Sequence, residues 1–448
     1  MARFAPIRRP LGCTLLLLLA VCASAAETTE YRFPRPQFES GYTVPTTPAP
    51  APRASAFAVL DAAVLATTLF LASYLALRQR SRRALALLST FSLLYFGFWR
   101  LGCVCAVGAT QNVAAALFDA SAVLPAAVAA FFVLPLVTAL FAGRTFCAAG
   151  CPLGAVQDLV VLWPVRVPGA AEAALGLLPQ VYLGLAVLFA STGAGFVVCR
   201  YDPFVAFFRL SGPPGLLLAG GFLLTLGAFV ARPYCRYLCP YGVLLGWASR
   251  LSRRHATVTT DLCVRCRLCE GSCPFGALRV PAPPGDPEDR GGARRRLAAL
   301  LLLLPVLAGA GALLGAAVHP ALALTHPTVR LARDLDDEER GAKPTLAAEA
   351  FREGTATVES LRREAEAVSR RFRTGAAILG SFLGLVFGGR LLRLSVWRAP
   401  DHWEPDRGAC LSCGRCFDSC PVEHLRRQYP EGEYRRLAAA LREPGAEP

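Results

Sequence analysis

Two stretches of four cysteines dominate the chemistry open to this chain: CVRCRLCEGSCP at 263–274 and CLSCGRCFDSCP at 410–421. Their thiols are separated by two, two and three residues, and proline follows the fourth. That is the rhythm of bacterial ferredoxins, in which three thiolates of one motif hold a [4Fe–4S] cluster and the fourth holds its neighbour. Zinc sites made of thiolates usually show two separated pairs instead, so the spacing favours clusters. The crossed rule predicts Cys263, Cys266, Cys269 and Cys420 on one cluster, and Cys410, Cys413, Cys416 and Cys273 on the other. Such clusters carry single electrons, so the module reads as a conductor, and no residue is assigned as catalytic. The two motifs must therefore meet, although two apolar stretches lie between them.

A second group of thiols is also patterned. GRTFCAAGCPLGAV at 143–156 and ARPYCRYLCPYGVL at 231–244 share Cys-x-x-x-Cys-Pro, an arginine three residues before the first cysteine, an aromatic just before it, and Pro-x-Gly after the second. If the turn continues as a helix, thiols four residues apart share a face. Cys147, Cys151, Cys235 and Cys239 then present four ligands, enough for a further iron–sulfur centre. Redox-active dithiols, or cysteines that pack under the ferredoxin module, fit the same spacing. Cys103, Cys105 and Cys199 lie at the opposite ends of these repeats and read either as a relay, or as a structural disulfide or small buried thiols. The five histidines, His255, His319, His326, His402 and His424, fall outside the repeat helices, and Cys-x-x-Cys-His is absent, which argues against a di-haem quinol oxidase and a c-type cytochrome.

The elements that carry these thiols are those of a membrane protein. Hydrophobic residues make up 54% of the chain, against about 45–50% for soluble domains even with glycine counted. The net charge of +15 comes mostly from arginines clustered beside apolar runs, as at 78–83 and 294–296. That marks cytoplasmic loops and, with no recognised binding module, excludes a nucleic-acid role. Residues 1–26 read as a signal peptide that removes Cys13 and Cys22, and 27–55 as an exported proline-rich segment. Against a requirement of about 20 apolar residues per crossing, seven helices are expected, near 56–77, 84–101, 123–142, 175–197, 215–231, 297–318 and 375–392.

The expected organisation is mainly α. A polytopic transmembrane bundle with tandem two-helix repeats (56–255) carries the Cys-x-x-x-Cys-Pro turns, and a small α+β two-cluster ferredoxin-like module is built from 256–290 and 398–430. An inserted transmembrane hairpin (297–392) with an external, charged helical loop returns the chain, so that both ferredoxin motifs face the cytoplasm.

With these motifs in place, residues 84–280 and 405–421 resemble the NosR/NapH-type membrane polyferredoxins, and share motifs with the copper-reducing polyferredoxins of oxidase maturation. The resemblance implies electron transfer between quinol or a cytoplasmic donor and an exported redox partner, in the bacterial inner membrane. NosR-like members also carry an external FMN-binding domain, for which 27–55 is too short; flavin, if it takes part, is expected in a partner flavoprotein. The alternative implied is an assembly or sensory factor that reduces a metal for a respiratory enzyme. A subunit of an oxidoreductase system is expected rather than a stand-alone enzyme.

Overall fold

The computed structural model describes residues 55–102, 105–118, 122–258, 262–281, 290–354, 356–395 and 403–441. The expected signal peptide, the segment before Ser55, and Cys103 lie outside the described residues.

The chain is mostly helical. Apolar α1 (Ser55–Tyr74) runs on through a wider π turn to Gln79, and α2 (Arg82–Ser92) continues likewise to Trp99. The Ser81 side chain accepts from Ala84 N and caps α2. Next come α3 (Ala106–Phe118), α4 (Ala126–Ala142), a π turn at Phe146–Gly150 and α5 (Pro152–Leu159). Short α6 (Gly169–Leu175) leads into α7 (Leu178–Thr192), then α8 (Val197–Tyr201), α9 (Pro203–Arg209) and α10 (Pro214–Gly227). The second cysteine turn forms α11 (Pro233–Tyr237) and α12 (Pro240–Arg250). The first ferredoxin motif holds α13 (Leu268–Ser272) and β1 (Leu278–Arg279). Long α14 (Arg290–Ala323), α15 (Pro327–Glu339), α16 (Leu346–Arg352) and long α17 (Val358–Ser395) form the insertion. The chain ends with β2 (Glu404–Pro405), α18 (Arg415–Asp418), α19 (Pro421–Gln428) and α20 (Glu431–Ala440).

Among the described residues four helical stretches are long and apolar enough to cross a membrane: 56–79, 169–192, 291–323 and 358–395; α9 and α10, bent by 103°, make a fifth if counted as one span. The seven crossings expected from apolar runs are thus not matched. Punctuation shortens the repeat helices: α4 is held to 17 residues between extended Pro125 and Gly143 at φ 72°, and α10 stops at Gly227. The helix at 106–118 was not anticipated at all. The bundle core gathers Leu65, Phe96, Phe131, Phe204, Tyr234 and Tyr241 from six different segments.

The insertion is a close helical hairpin. Gly311, Gly315, Gly380 and Gly384 form a small-xxx-small pair on α14 and α17, the arrangement that lets backbones touch where lipid gives no hydrophobic driving force. A Cβ at any of the four would fall on backbone of the facing helix, mostly a carbonyl oxygen. Gly380→Leu is therefore expected to part the hairpin and lower the melting temperature of the purified protein by several degrees. An unchanged melting curve would show that the close approach is not needed. Beyond the apolar stretch, α17 is charged, and Arg362 bridges Asp336 and Glu339 of α15 at 2.7 Å each, so the expected charged helical loop is present.

What the hairpin returns is the second ferredoxin motif. β1 and β2 pair antiparallel, with Leu278 opposite Pro405 and Arg279 opposite Glu404, and Asp406 N donates to Ala277 O at 2.7 Å.

Candidate functional site

The two ferredoxin motifs fold alike at matching positions. Two and four residues after the first cysteine, the backbone turns left-handed: Arg265 (φ 55°) and Arg267 (φ 62°) in one, Ser412 (φ 53°) and Gly414 (φ 77°) in the other. That conformation costs a non-glycine residue about 1–2 kcal/mol. Alternating handedness curls successive amides into a concave nest, a form that accommodates anions and iron–sulfur groups. Each motif then enters a one-turn helix, α13 or α18, that carries its third cysteine.

The thiols of the two motifs lie near one another. Cys269 has Cys420, Cys263 and Cys266 among its neighbours. Those of Cys416 include Cys413, Cys410 and Cys273, with Cys269 beyond them. Cys273, Cys410, Cys413 and Cys416 line one small cavity. Burial pushes the Cys269 thiol up to about 11 and Cys410 to about 12, so metal binding must displace their protons. Among the described residues no three Cys, His, Asp or Glu side chains converge tightly enough for one metal ion. A cluster with four thiolate ligands spread over its irons asks for a wider ring, and the donor set fits it.

The Cys-x-x-x-Cys-Pro turns form a third group. In each, the second cysteine is extended and the following proline opens the next helix, α5 after Cys151 and α12 after Cys239. Cys151 lies in the field of Cys235, Cys147, Cys105 and Cys239; Cys239 in that of Cys235, Cys147 and Cys105. Two donors face the sulfurs: Gln157 Nε2 to Cys235 Sγ at 3.2 Å and Gly242 N to Cys239 Sγ at 3.3 Å. Gln157 is fully buried, and its Oε1 accepts from Tyr234 N at 3.0 Å.

The arginine that precedes each turn reaches across to the other. Arg232, with no exposed surface, donates to Cys147 O and makes a two-pronged pair with Asp158 at 2.9 and 2.7 Å. Arg144 lies against Gly242 and donates to Gly408 O, beside the second ferredoxin motif, at 3.0 Å. Arg232 feels both Cys235 and Cys413, and Arg144 acts on both Cys235 and Cys410. Burial raises the Asp158 carboxyl, but Arg232, Arg82 and Arg415 outweigh it and hold it down to about 2.

At the far side of the turns, Cys105 has Asp202 and Cys199 as neighbours. Both cysteines line a cavity with Asp61, Arg100, Asp202 and Arg209. Gln111 Oε1 accepts from Val198 N and Cys199 N at 2.9 and 3.3 Å, and Tyr234 Oη donates to Asp202 Oδ2 at 3.2 Å. Sequence reasoning missed Gln157, Asp158, Gln111 and Asp202. The only local signal for any of them was an isolated polar residue in an apolar surround.

A 4Fe–4S binding domain family matches the chain twice, at 124–170 and 211–259, over the two short cysteine turns. A second 4Fe–4S binding domain family matches 256–279, over the first ferredoxin motif. An uncharacterized protein of Methanocaldococcus jannaschii is 29% identical over 197 residues, 42% of this chain and 79% of that protein. Protein NirI of Paracoccus denitrificans is 32% identical over 153 residues, 31% of this chain and 22% of NirI. The methylamine utilization ferredoxin-type protein MauN of the same organism is 29% identical over 158 residues, 33% of this chain and 54% of MauN. The chain thus spans about half of MauN and about a fifth of NirI. No solved structure matches. The chain matches 4Fe–4S binding domains at three places.

Proposed function

We propose that this chain, a NosR/NapH-type membrane polyferredoxin, conducts electrons along a line of thiolate-bound centres between a donor at its ferredoxin module and an exported redox partner. One observation carries the reading: the thiols succeed one another in groups, each beside the next. Cys263, Cys266, Cys269 and Cys420 adjoin Cys273, Cys410, Cys413 and Cys416. Cys147, Cys273, Cys410 and Cys413 pack against one small apolar cluster of Ala231, Phe275, Ala277 and Leu411, and Cys105, near the turn thiols, leads on to Cys199. The bound clusters supply one-electron redox chemistry. The chain's own residues hold and tune it: Gln157 and Gly242 direct N–H groups at sulfur, and Arg144 and Arg232 set fixed positive charge between neighbouring anionic groups.

In this reading the ferredoxin module is cytoplasmic, because the basic clusters at 78–83, 250–254 and 290–296 lie at the ends of the helices leading to it. The donor is quinol or a cytoplasmic protein. The acceptor is exported, with any flavin residing there. Hydrocarbon about 30 Å thick separates the two sides, which the turn thiols and Cys105 subdivide.

Cys105 and Cys199, which line one cavity with Asp61 and Asp202, favour a second reading, reduction of a metal for assembly of a respiratory enzyme. Cys199→Ser is the test. Conduction predicts that iron content and the spectra of the ferredoxin clusters stay unchanged while reduction of the exported partner falls at least tenfold. Undiminished flux in the variant would confine the path to the cytoplasmic side.

A further inference from the structure

A seam runs between α7 and α17 with opposite character at its two parts. Toward the ferredoxin module it is a polar cavity of about 200 Å³ lined by Arg144, Glu172, Arg250, Arg390, Arg393 and Asp406. Farther along it opens into an apolar crevice of about 810 Å³, where Leu183 and Val187 of α7 face Ile378, Leu379 and Phe382 of α17. Trp247 of α12 lines both, its ring edge-on to Phe382 at 6.1 Å. On α7 the lining steps from Gln180 in the first to Gly184, Leu188 and Ser191 in the second, one face at helical spacing.

The polar cavity holds more positive charge than its carboxylates answer. Asp406 is taken by Arg279 at 2.6 Å and by Arg393. Glu172 is taken by Arg236 at 2.9 Å and by Tyr237. Arg144, Arg250 and Arg390 have no carboxylate in ion-pair contact among the described residues. Arg390 Nη1 and Arg144 Nε are buried without a hydrogen-bond acceptor, and a buried donor left unmet is destabilising. Burial lowers the Arg250 guanidinium, and the cations Arg393, Arg279 and Arg390 lower it further against Asp406. Such a set of guanidinium donors suits an anion with several acceptor oxygens.

We propose that the seam is a binding site for one anionic phospholipid, its phosphate among Arg144, Arg250 and Arg390 and an acyl chain in the α7–α17 crevice. Basic pockets between membrane helices on the cytoplasmic side are suited to such headgroups. From Gln180 to Thr192 the α7 face spans about 18 Å at about 1.5 Å per residue, room for a chain that reaches into the bilayer. A quinone fits the crevice as well but brings a neutral ring, which leaves the three guanidiniums unanswered. The lipid would seal the inserted hairpin to the bundle. It would also brace the second ferredoxin motif, whose Gly408 and Ala409 line the same cavity. The inference rests on the reading of α7 and α17 as membrane helices; because Cys235 and Cys239 line the same polar cavity, iron content is read in every variant, so that loss of lipid with iron retained is told apart from loss of a centre at the turns.

The test uses the full chain purified in detergent, with native mass spectrometry and lipid phosphorus analysis, iron content serving as the control for folding. One phosphatidylglycerol or cardiolipin per chain is expected to survive washing, and phosphatidylcholine vesicles are expected not to replace it. Arg250→Gln with Arg390→Gln should weaken retention at least tenfold. Ile378→Trp, which fills the crevice and leaves every arginine in place, should do the same, and it decides the matter if the double variant fails to fold. Four results overturn the proposal: unchanged retention in Ile378→Trp, equal exchange with phosphatidylcholine, inorganic phosphate displacing the lipid at equal concentration, or a co-purifying quinone that the arginine variant releases.

Discussion

Protein from which the eight ferredoxin cysteines have been removed is expected to keep about four irons per chain, bound by Cys147, Cys151, Cys235 and Cys239. These four thiols lie within one another's field, and two N–H donors already face their sulfurs. Arg144 and Arg232 stand beside them to balance negative charge. In the otherwise intact chain, Cys147→Ser or Cys235→Ser should lower iron from about twelve to about eight per chain, and leave the ferredoxin spectra in place. Both measurements separate a third cluster from a pair of dithiols. Folded, iron-free protein in the first experiment, together with unchanged iron in the second, would leave the turns as structural or redox-active thiols.

Cys420→Ser is expected to remove the cluster held by Cys263, Cys266 and Cys269, a loss of about four irons per chain, while the cluster of Cys410, Cys413 and Cys416 persists. The reason is topological. Cys420 is separated in sequence from its proposed partners by the whole hairpin, yet it is among the charged neighbours of Cys269. The reciprocal Cys273→Ser should remove the other cluster. Spectroscopy of the two variants under anaerobic reduction distinguishes the sites. If Cys420→Ser abolished only the cluster of its own motif, ligation would be uncrossed, and the pairing of β1 with β2 would have to serve some other end.

The two lists of ligands differ in how they were legible. The ferredoxin cysteines were evident because the spacing of two, two and three is local and the ligand chemistry of thiolates is narrow. The turn cysteines were evident as a duplicated pattern, but a pair four residues apart is only half a ligand set. The crossings were overcounted for a physical reason. Hydropathy registers how apolar a run is and not where glycine or proline interrupts it, so the stretches at 123–142 and 215–231 looked longer than the helices they form. The charged helical loop of the insertion was read correctly from its alternating acids and bases, which α15 and α17 pair at 2.7 Å.

The sequence by itself determined the class of ligand, the number of thiols offered and the apolar character of the chain, because each depends on residue type and short-range spacing. The tertiary structure decided which thiols become neighbours. The strand pairing of Leu278 and Arg279 with Pro405 and Glu404 brings 263–274 beside 410–421 across the whole insertion, an event of packing that no local pattern encodes. The tertiary structure also decided that Arg232 of the second turn serves the first, and that Arg144 of the first touches the second. A buried guanidinium must find its carboxylate and its acceptors wherever the fold brings them. For Arg232 the carboxylate is Asp158, on a different helix and beyond any repeat in the sequence.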